Sequence, residues 1–236
     1  MPGFSRAMIP ALKIDYNEVN RLVGMLKEKL DPARGAEVVF SLPGGVEHRV
    51  LFDLRWRKAH ASGGRFPDKG TAGNLPSGEA YIVPYEGEKR DKSRTQGVLP
   101  VQIEDEICLF TVKENRAISV EGHGPAAARE RDLLTLEPAY GNMAELGFGV
   151  LDGFGIQPVG SILLDEKLGF HVAFGRSEHF GGQVGPGEFT SPESVIHLDR
   201  IYIPATQPLV AIRSIILDLG RGRSELLIDN GKYVIF

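Results

Sequence analysis

A histidine and an aspartate two positions apart, His197 and Asp199, interrupt a largely apolar run of the 236-residue chain. The run, SVIHLDRIYIP, has the alternation of a β-strand, in which side chains two apart project to the same side. The pair can be one face of a solvated strand or part of a buried site. The apolar flanks favour a site, because a buried charge needs a partner or a metal.

A third candidate ligand, His171, lies in a second apolar run, GFHVAFG. One buried histidine is more often a satisfied core residue than a ligand. Two histidines in separate strand-like runs, one with a carboxylate beside it, shift that balance towards a metal site. Zinc, cobalt, manganese and iron all bind imidazole and carboxylate groups. We expect the remaining ligands among acids held in rigid turns.

Two acids meet that description, Glu79 and Glu145. Glu79 ends the turn-forming sequence GNLPSGE, whose Gly, Asn, Pro and Ser residues specify a turn that leads into a strand. An exposed acid at a strand start is the commoner case for such a residue. Glu145 lies in an apolar, Gly-rich segment, YGNMAELGFGVLDGFG. An isolated carboxylate buried there would be costly without compensation, so Glu145 is the stronger candidate.

Composition excludes several classes of function. Lys and Arg number 27 against 31 Asp and Glu, for a net charge of -4, and there is no basic block to follow a phosphate backbone. No run approaches the roughly 18 to 20 apolar residues of a membrane span, and the amino terminus is too short and Pro-interrupted for a signal peptide. Cys108 is the only cysteine, so a metal must use His, Asp and Glu. We expect a cytoplasmic protein that binds neither nucleic acid nor membrane.

The elements that must position these residues follow from periodicity. Helical spacing and end signals predict helices over 14–30, 126–136 and 162–168. The β-rich runs are AEVVFSL, HRVLFDLRW, EAYIVP, GVLPVQI, EICLFTV, AISVEG, GFHVAFG, SVIHLDRIYIP and PLVAIRSIILDLG, and ELLIDNGKYVIF is a hairpin turning on Asn230-Gly231. This order predicts an α+β fold with a largely antiparallel or mixed, barrel-like sheet and a few helices. We expect a single domain, 1–236, with 1–35 as a helical lead-in.

Four stretches give the sequence a family resemblance: GNLPSGEAYIVP, AELGFGVLDG, LLDEKLGFHVAFGRSEHFGG and SVIHLDRIYIP. In this order and with comparable gaps, they resemble the M29 family of metallo-aminopeptidases, the aminopeptidase T and aminopeptidase S type, from about residue 36 onwards. In that family two metal ions are bound, and for this chain we expect two divalent ions, zinc or cobalt, with manganese or iron as alternatives. The resemblance implies a ligand set of Glu79, Glu145, His171, His197 and Asp199.

The resemblance also implies an activity, the release of amino-terminal residues from peptides. Glu145 would serve as general base as well as ligand, and Glu79 would help to hold the substrate's amino group. Family members usually carry a tyrosine after the first histidine, where this sequence has Glu178 or His179, so Glu178 joins the expected catalytic set. Tyr140 and Tyr202 are alternative sources of a phenol, although packing roles suit them better.

Family members also carry an additional α/β domain before the metal-binding half, and the resemblance implies that this chain begins near the end of it, as a natural short form or as a fragment. The resemblance further implies a homodimer acting on a peptide or small-molecule substrate.

Two other interpretations stay open. The iron-dependent ring-opening dioxygenases of dihydroxypyridine resemble the same metal-binding half and use two histidines and one carboxylate, which His171, His197 and Asp199 can supply for Fe(II). Glu79 and Glu145 count against that reading, because a single metal has less need of two further acids. The third interpretation is a catalytically inactive metal-binding module.

Overall fold

The computed structural model describes residues 3–236. Its helices are α1 (Tyr16–Leu30), α2 (Pro125–Leu136) and α3 (Ile162–Asp165). Its strands are β1 (Gly35–Ser41), β2 (Glu47–Asp53), β3 (His60–Ser62), β4 (Glu79–Ile82), β5 (Gln96–Ile103), β6 (Glu106–Lys113), β7 (Arg116–Glu121), β8 (Met143–Gly149), β9 (Phe170–Gly175), β10 (His197–Ile201), β11 (Ala211–Gly220), β12 (Arg223–Asp229) and β13 (Lys232–Tyr233). No helix in this part of the chain is long and apolar enough to cross a membrane.

The strands form two antiparallel sheets. The larger has eight strands in the order β13-β12-β11-β1-β2-β5-β6-β7, and the smaller has five in the order β10-β9-β8-β4-β3. The predicted α+β class is confirmed. The barrel-like arrangement is wrong for residues 3–236, because barrel closure requires the end strands to pair, and β7 and β13 lie at opposite ends of the larger sheet.

Helix α1 confirms the helix predicted from its apolar spacing. Asp15 caps it by accepting a hydrogen bond from the Asn17 amide, and one face buries five apolar residues: Val19, Leu22, Val23, Leu26 and Leu30. That face packs against β3 and β4. Because burying each such side chain stabilises the fold by about 1.5–3 kcal/mol, the helix holds this end of the smaller sheet in place.

The smaller sheet has two chemically different faces. One face is apolar and joins the main core through Ala80, Ile82, Leu146, Phe148, Val172 and Phe174. The other carries the residues that alternate with them, namely Glu79, Tyr81, Glu145, Gly147, His171 and Ala173. Because a slip of one residue would exchange the two faces, burial of the apolar face fixes which side chains face the candidate site.

The structure contains two strands that the sequence did not predict, β3 and β8. Strand β8 is buried along its whole length between β4 and β9. Its glycines obscured the strand pattern, although they are what let neighbouring side chains approach it. The predicted strand over 194–204 is shorter than expected, because a 3-10 turn, Pro192–Ser194, precedes β10. The predicted turn at Asn230-Gly231 is confirmed by positive φ angles of 47° and 74°.

Candidate metal centre

All five predicted metal ligands lie on one face of the smaller sheet. Glu79 begins β4, Glu145 lies in β8, His171 lies in β9, and His197 and Asp199 lie in β10. The expectation that the acids sit in rigid turns is wrong. Strands suit the task because alternation gives each side chain a defined direction.

The ligand atoms are close enough to share metal ions. The His171 Nε2 atom lies 3.7 Å from Glu79 Oε2, 3.7 Å from Glu145 Oε1 and 3.9 Å from Asp199 Oδ1. The His197 Nε2 atom lies 3.1 Å from Glu145 Oε2 and 3.5 Å from Asp199 Oδ1. The donors thus form two groups, Glu79 with Glu145 and His171, and Glu145 with His197 and Asp199. Glu145 belongs to both.

Two carboxylate oxygens in this cluster are buried without a hydrogen-bond partner, Glu79 Oε2 and Asp199 Oδ1. Bare buried carboxylate oxygens are costly, and each of these lies within 4 Å of a histidine nitrogen. A divalent cation would satisfy either oxygen, since it binds carboxylate and imidazole together. The donor set therefore fits a metal.

Small residues on β8 and β9 make room for the ligands. Gly147 pairs with His171 across the two strands, and a Cβ at Gly147 would overlap the His171 imidazole. His197 pairs with Gly175, and the next residue of β10 on the ligand face, Asp199, pairs with Ala173. Gly147 is needed here because of close approach, since its φ is not positive.

A lysine that the sequence analysis missed lies inside the cluster. The Lys167 Nζ atom donates to Glu79 Oε1 and to Glu166 Oε1, and the lysine is only 2% exposed. The predicted role of Glu79 is to hold a substrate's amino group, but one oxygen of Glu79 already binds this ammonium group. The only signal in the sequence was the position of this lysine, which directly precedes the apolar residues that lead into the strand of His171.

The buried carboxylates favour protonated histidines when no metal is bound. Burial lowers the pKa of His171, but a hydrogen bond to Glu145 and the charges of Asp199, Glu145 and Glu79 outweigh it and raise the pKa to about 9. Burial also lowers the pKa of His197, but hydrogen bonds to Asp199 and Glu145 and the charges of these two carboxylates outweigh it and raise the pKa to about 10. Burial raises the pKa of Asp199, yet the two histidines and Lys167 bring it down to about 2.

These shifts predict how the stability of the metal-free chain changes with pH. Unfolded histidine has a pKa of about 6.5, so both imidazoles bind protons more tightly in the folded state. Their contribution to the free energy of unfolding is complete below about pH 6.5 and is lost as the pH rises through about 9 to 10. We expect the melting temperature of the metal-free protein, prepared with a chelator, to fall over this pH window. Circular dichroism measures it. Bound metal requires neutral imidazole, so the fall should disappear in metal-loaded protein. A melting temperature of the metal-free chain that does not change with pH would contradict the raised pKa values of His171 and His197.

Aromatic rings line the approach to His197. The ring of Phe180 lies 4.7 Å from that of Tyr81 and 5.4 Å from that of His197, between centroids. The ring of His179 lies 5.0 Å from that of His197, and the exposed His60 stacks on Tyr81 at 5.1 Å. Together these rings form a partly exposed wall, suited to stacking against a planar ligand.

Tyr81 places a phenol beside the centre, which the sequence analysis missed. Burial raises its pKa to about 12, with further contributions from Glu145 and Glu79. The alternatives named from the sequence have other partners: Tyr140 donates to Glu130 at 2.6 Å, and Tyr202 donates to the Pro100 carbonyl at 2.9 Å. The signal for Tyr81 was its position two residues after Glu79 in a strand, which puts both on one face.

Of the two residues at the expected tyrosine position, His179 is the one that contacts a ligand. The Glu178 carboxylate is half exposed, ion-pairs with Arg176 at 2.7 Å and joins neither ligand group. The turn that carries both residues, Glu178–Phe180, places the His179 ring over His197 instead. The role of Glu178 as a catalytic acid stays a prediction without a contact to the cluster.

Glu86 anchors the segment that carries this wall. Its carboxylate accepts hydrogen bonds from Ser177 Oγ at 2.6 Å, Asn142 Nδ2 at 2.8 Å and the Gln183 amide at 2.5 Å. Arg57 completes the arrangement, with Nη2 3.2 Å from Glu86 and Nη1 donating to the Gly181 carbonyl at 3.1 Å. The segment is therefore tied to the end of β4 rather than free.

Replacing Glu86 with alanine is expected to lower the free energy of unfolding by about 3–5 kcal/mol, the usual effect of breaking a buried ion pair. The side chain is 6% exposed, and its removal takes one acceptor each from Arg57, Asn142 and Ser177. Urea unfolding measures the change, and limited proteolysis reports whether residues 177–184 become cleavable. The control is Glu88→Ala, which removes a more exposed partner of Arg57; an equal loss in both variants would contradict the anchoring role.

Comparisons with known proteins bear on the fold. No protein-family model matches the sequence, and no curated protein matches it. Among solved structures, the chain is similar to 2,5-dihydroxypyridine dioxygenase from Pseudomonas putida, with a TM-score of 0.65 and 15% sequence identity over 97% of this chain. The match covers 62% of the dioxygenase chain, so this chain spans less than two thirds of its neighbour's length. The likeness shows that the two chains share a fold.

Proposed function

We propose that this chain is the metal-binding part of an oxygenase that opens an aromatic ring with one Fe(II) ion. The observation that carries the proposal is the convergence of two imidazoles and one carboxylate, His171, His197 and Asp199, on the neighbouring strands β9 and β10. Two histidines and one carboxylate are the ligand set of non-haem Fe(II) oxygenases, which leaves other positions open. The fold shared with a dioxygenase supports this reading.

The bound metal would supply activation of oxygen and a site for an oxygen atom of the substrate. The protein would hold the ring: Phe180 and Tyr81 offer flat surfaces at the mouth of the centre. Burial lowers the pKa of His179, and in the metal-free chain the charges of His197 and Arg176 lower it further. A lowered pKa favours the neutral imidazole, which can accept a proton from a ring hydroxyl. Tyr81, whose pKa is raised, stays protonated and can donate from its phenol.

A second candidate is the aminopeptidase-like hydrolase with two metals. The observation that favours it is the position of Glu145, whose Oε1 faces His171 and whose Oε2 faces His197. A carboxylate in that position can bridge two ions, and two ions can clamp the attacking and carbonyl oxygens of an amide. Lys167 weighs against it, because it already occupies one oxygen of Glu79.

Metal content and two assays separate these functions. The chain is reconstituted anaerobically with Fe(II), or with Co(II), Zn(II) or Mn(II), then desalted and measured by elemental analysis. The oxygenase predicts iron binding and oxygen uptake with 2,5-dihydroxypyridine as the probe. The hydrolase predicts two ions and cleavage of L-leucine p-nitroanilide, an unblocked aminoacyl substrate. Bound metal with neither activity would favour an inactive metal-binding module.

The expected homodimer stays a prediction, as does the single-domain organisation. Light scattering after size-exclusion chromatography measures the first, and the cooperativity of urea unfolding measures the second.

A further inference from the structure

Close packing of the backbone positions Lys167 in the metal centre. It lies in the 3-10 turn Glu166–Leu168, between α3 and β9. A Cβ at Gly149 of β8 would overlap the Lys167 backbone, so the glycine lets this turn press against the strand next to Glu79. The lysine side chain is 3% exposed and its two partners are Glu79 and Glu166.

We propose that Lys167 takes the place of a second metal ion and limits the centre to one divalent cation. A dication bound by Glu79, Glu145 and His171 would use the free oxygen of Glu79, Oε2. It would then share that carboxylate with the Lys167 ammonium, which is bound to Oε1. Two positive groups on one buried carboxylate repel each other strongly, because the low dielectric screens them poorly.

The charges of the cluster agree with one cation. Lys167 faces Glu79 and Glu166, which leaves Glu145 and Asp199 as the acids around His197. Those two negative charges match one dication when both imidazoles are neutral. Lys167 counted against Glu79 and Glu166 leaves one further negative charge, which is short of the two that a second dication would balance. The group of His171, His197 and Asp199, with Glu145 beside it, is therefore the occupied site, and Glu79 pairs with Lys167 instead.

The inference rests on the metal centre of the proposed function, and metal stoichiometry tests it without any substrate. Co(II) is titrated into chelated protein by isothermal calorimetry, and the desalted product is measured by elemental analysis. We expect about one Co(II) per chain for the wild type and for Lys167→Arg, which keeps the charge, and about two for Lys167→Met, which removes it. Glu79→Gln is expected to keep its single ion, because Glu79 is not a ligand of the occupied site.

The outcomes separate the inference from the function. A Lys167→Met chain that still binds one ion overturns the role of Lys167 and leaves the metal centre standing. A wild type with two ions overturns it too, and supports the hydrolase. A wild type with none overturns the metal centre and this inference together. If Lys167→Met does not fold, Lys167→Gln is measured in its place, and loss of the ion from Glu79→Gln overturns the inference independently.

Discussion

Replacing His197 with alanine is expected to weaken divalent metal binding by more than about 100-fold, since loss of an outer-shell partner alone costs about 10- to 100-fold. The His197 Nε2 atom faces both Glu145 and Asp199, and its Nδ1 atom lies 2.7 Å from the Arg176 carbonyl oxygen. That second contact fixes the ring orientation when Nδ1 carries the proton. Without the imidazole, the group that we assign to the single ion keeps only carboxylates and His171.

The fold of this variant is expected to persist. His197 begins β10 and is 19% exposed in its side chain, while the opposite face of the strand packs through Leu198. Calorimetric titration with Co(II) measures the affinity, and circular dichroism checks the fold. The matched control is His123→Ala, which removes an exposed loop histidine and should leave the affinity unchanged. Full metal content in the His197 variant would show that the ligand assignment is wrong.

Replacing Gly147 with alanine is expected to weaken metal binding by about 10- to 100-fold, comparable to disturbing the orientation of a ligand. Gly147 supplies no metal ligand of its own. Its effect comes from space, because a methyl group there would overlap the His171 ring. The imidazole is the end of a side chain and can rotate away, so the variant should fold with His171 displaced.

The control for this variant is Gly153→Ala. Gly153 has open space around its Cβ position and no positive φ, so the added methyl group should affect neither metal binding nor the fold. Calorimetric titration and thermal unfolding are compared for the two variants. If Gly147→Ala binds metal as the wild type does, then His171 is not held in the orientation described above.

Much of the architecture followed from local pattern. The apolar spacing of α1 and the Asn230-Gly231 turn both predicted what the structure contains. Alternation placed His197 and Asp199 on one strand face, because side-chain direction in a strand depends only on parity. Strand β8 escaped prediction because its Gly and buried Glu obscure the usual strand composition, although they are the residues that the centre requires.

The sequence by itself determined the chemical types at the centre: with a single cysteine, a metal must be held by histidines and carboxylates. It also determined that the side chains of His197 and Asp199 project from the same face of their strand, because they are two positions apart. Only the tertiary structure decided which other groups join them. Lys167 meets Glu79 across 88 positions of sequence, and Glu86 meets Ser177 across 91. Contacts between residues so far apart in sequence arise from how the sheet and its loops pack, and local periodicity does not predict them.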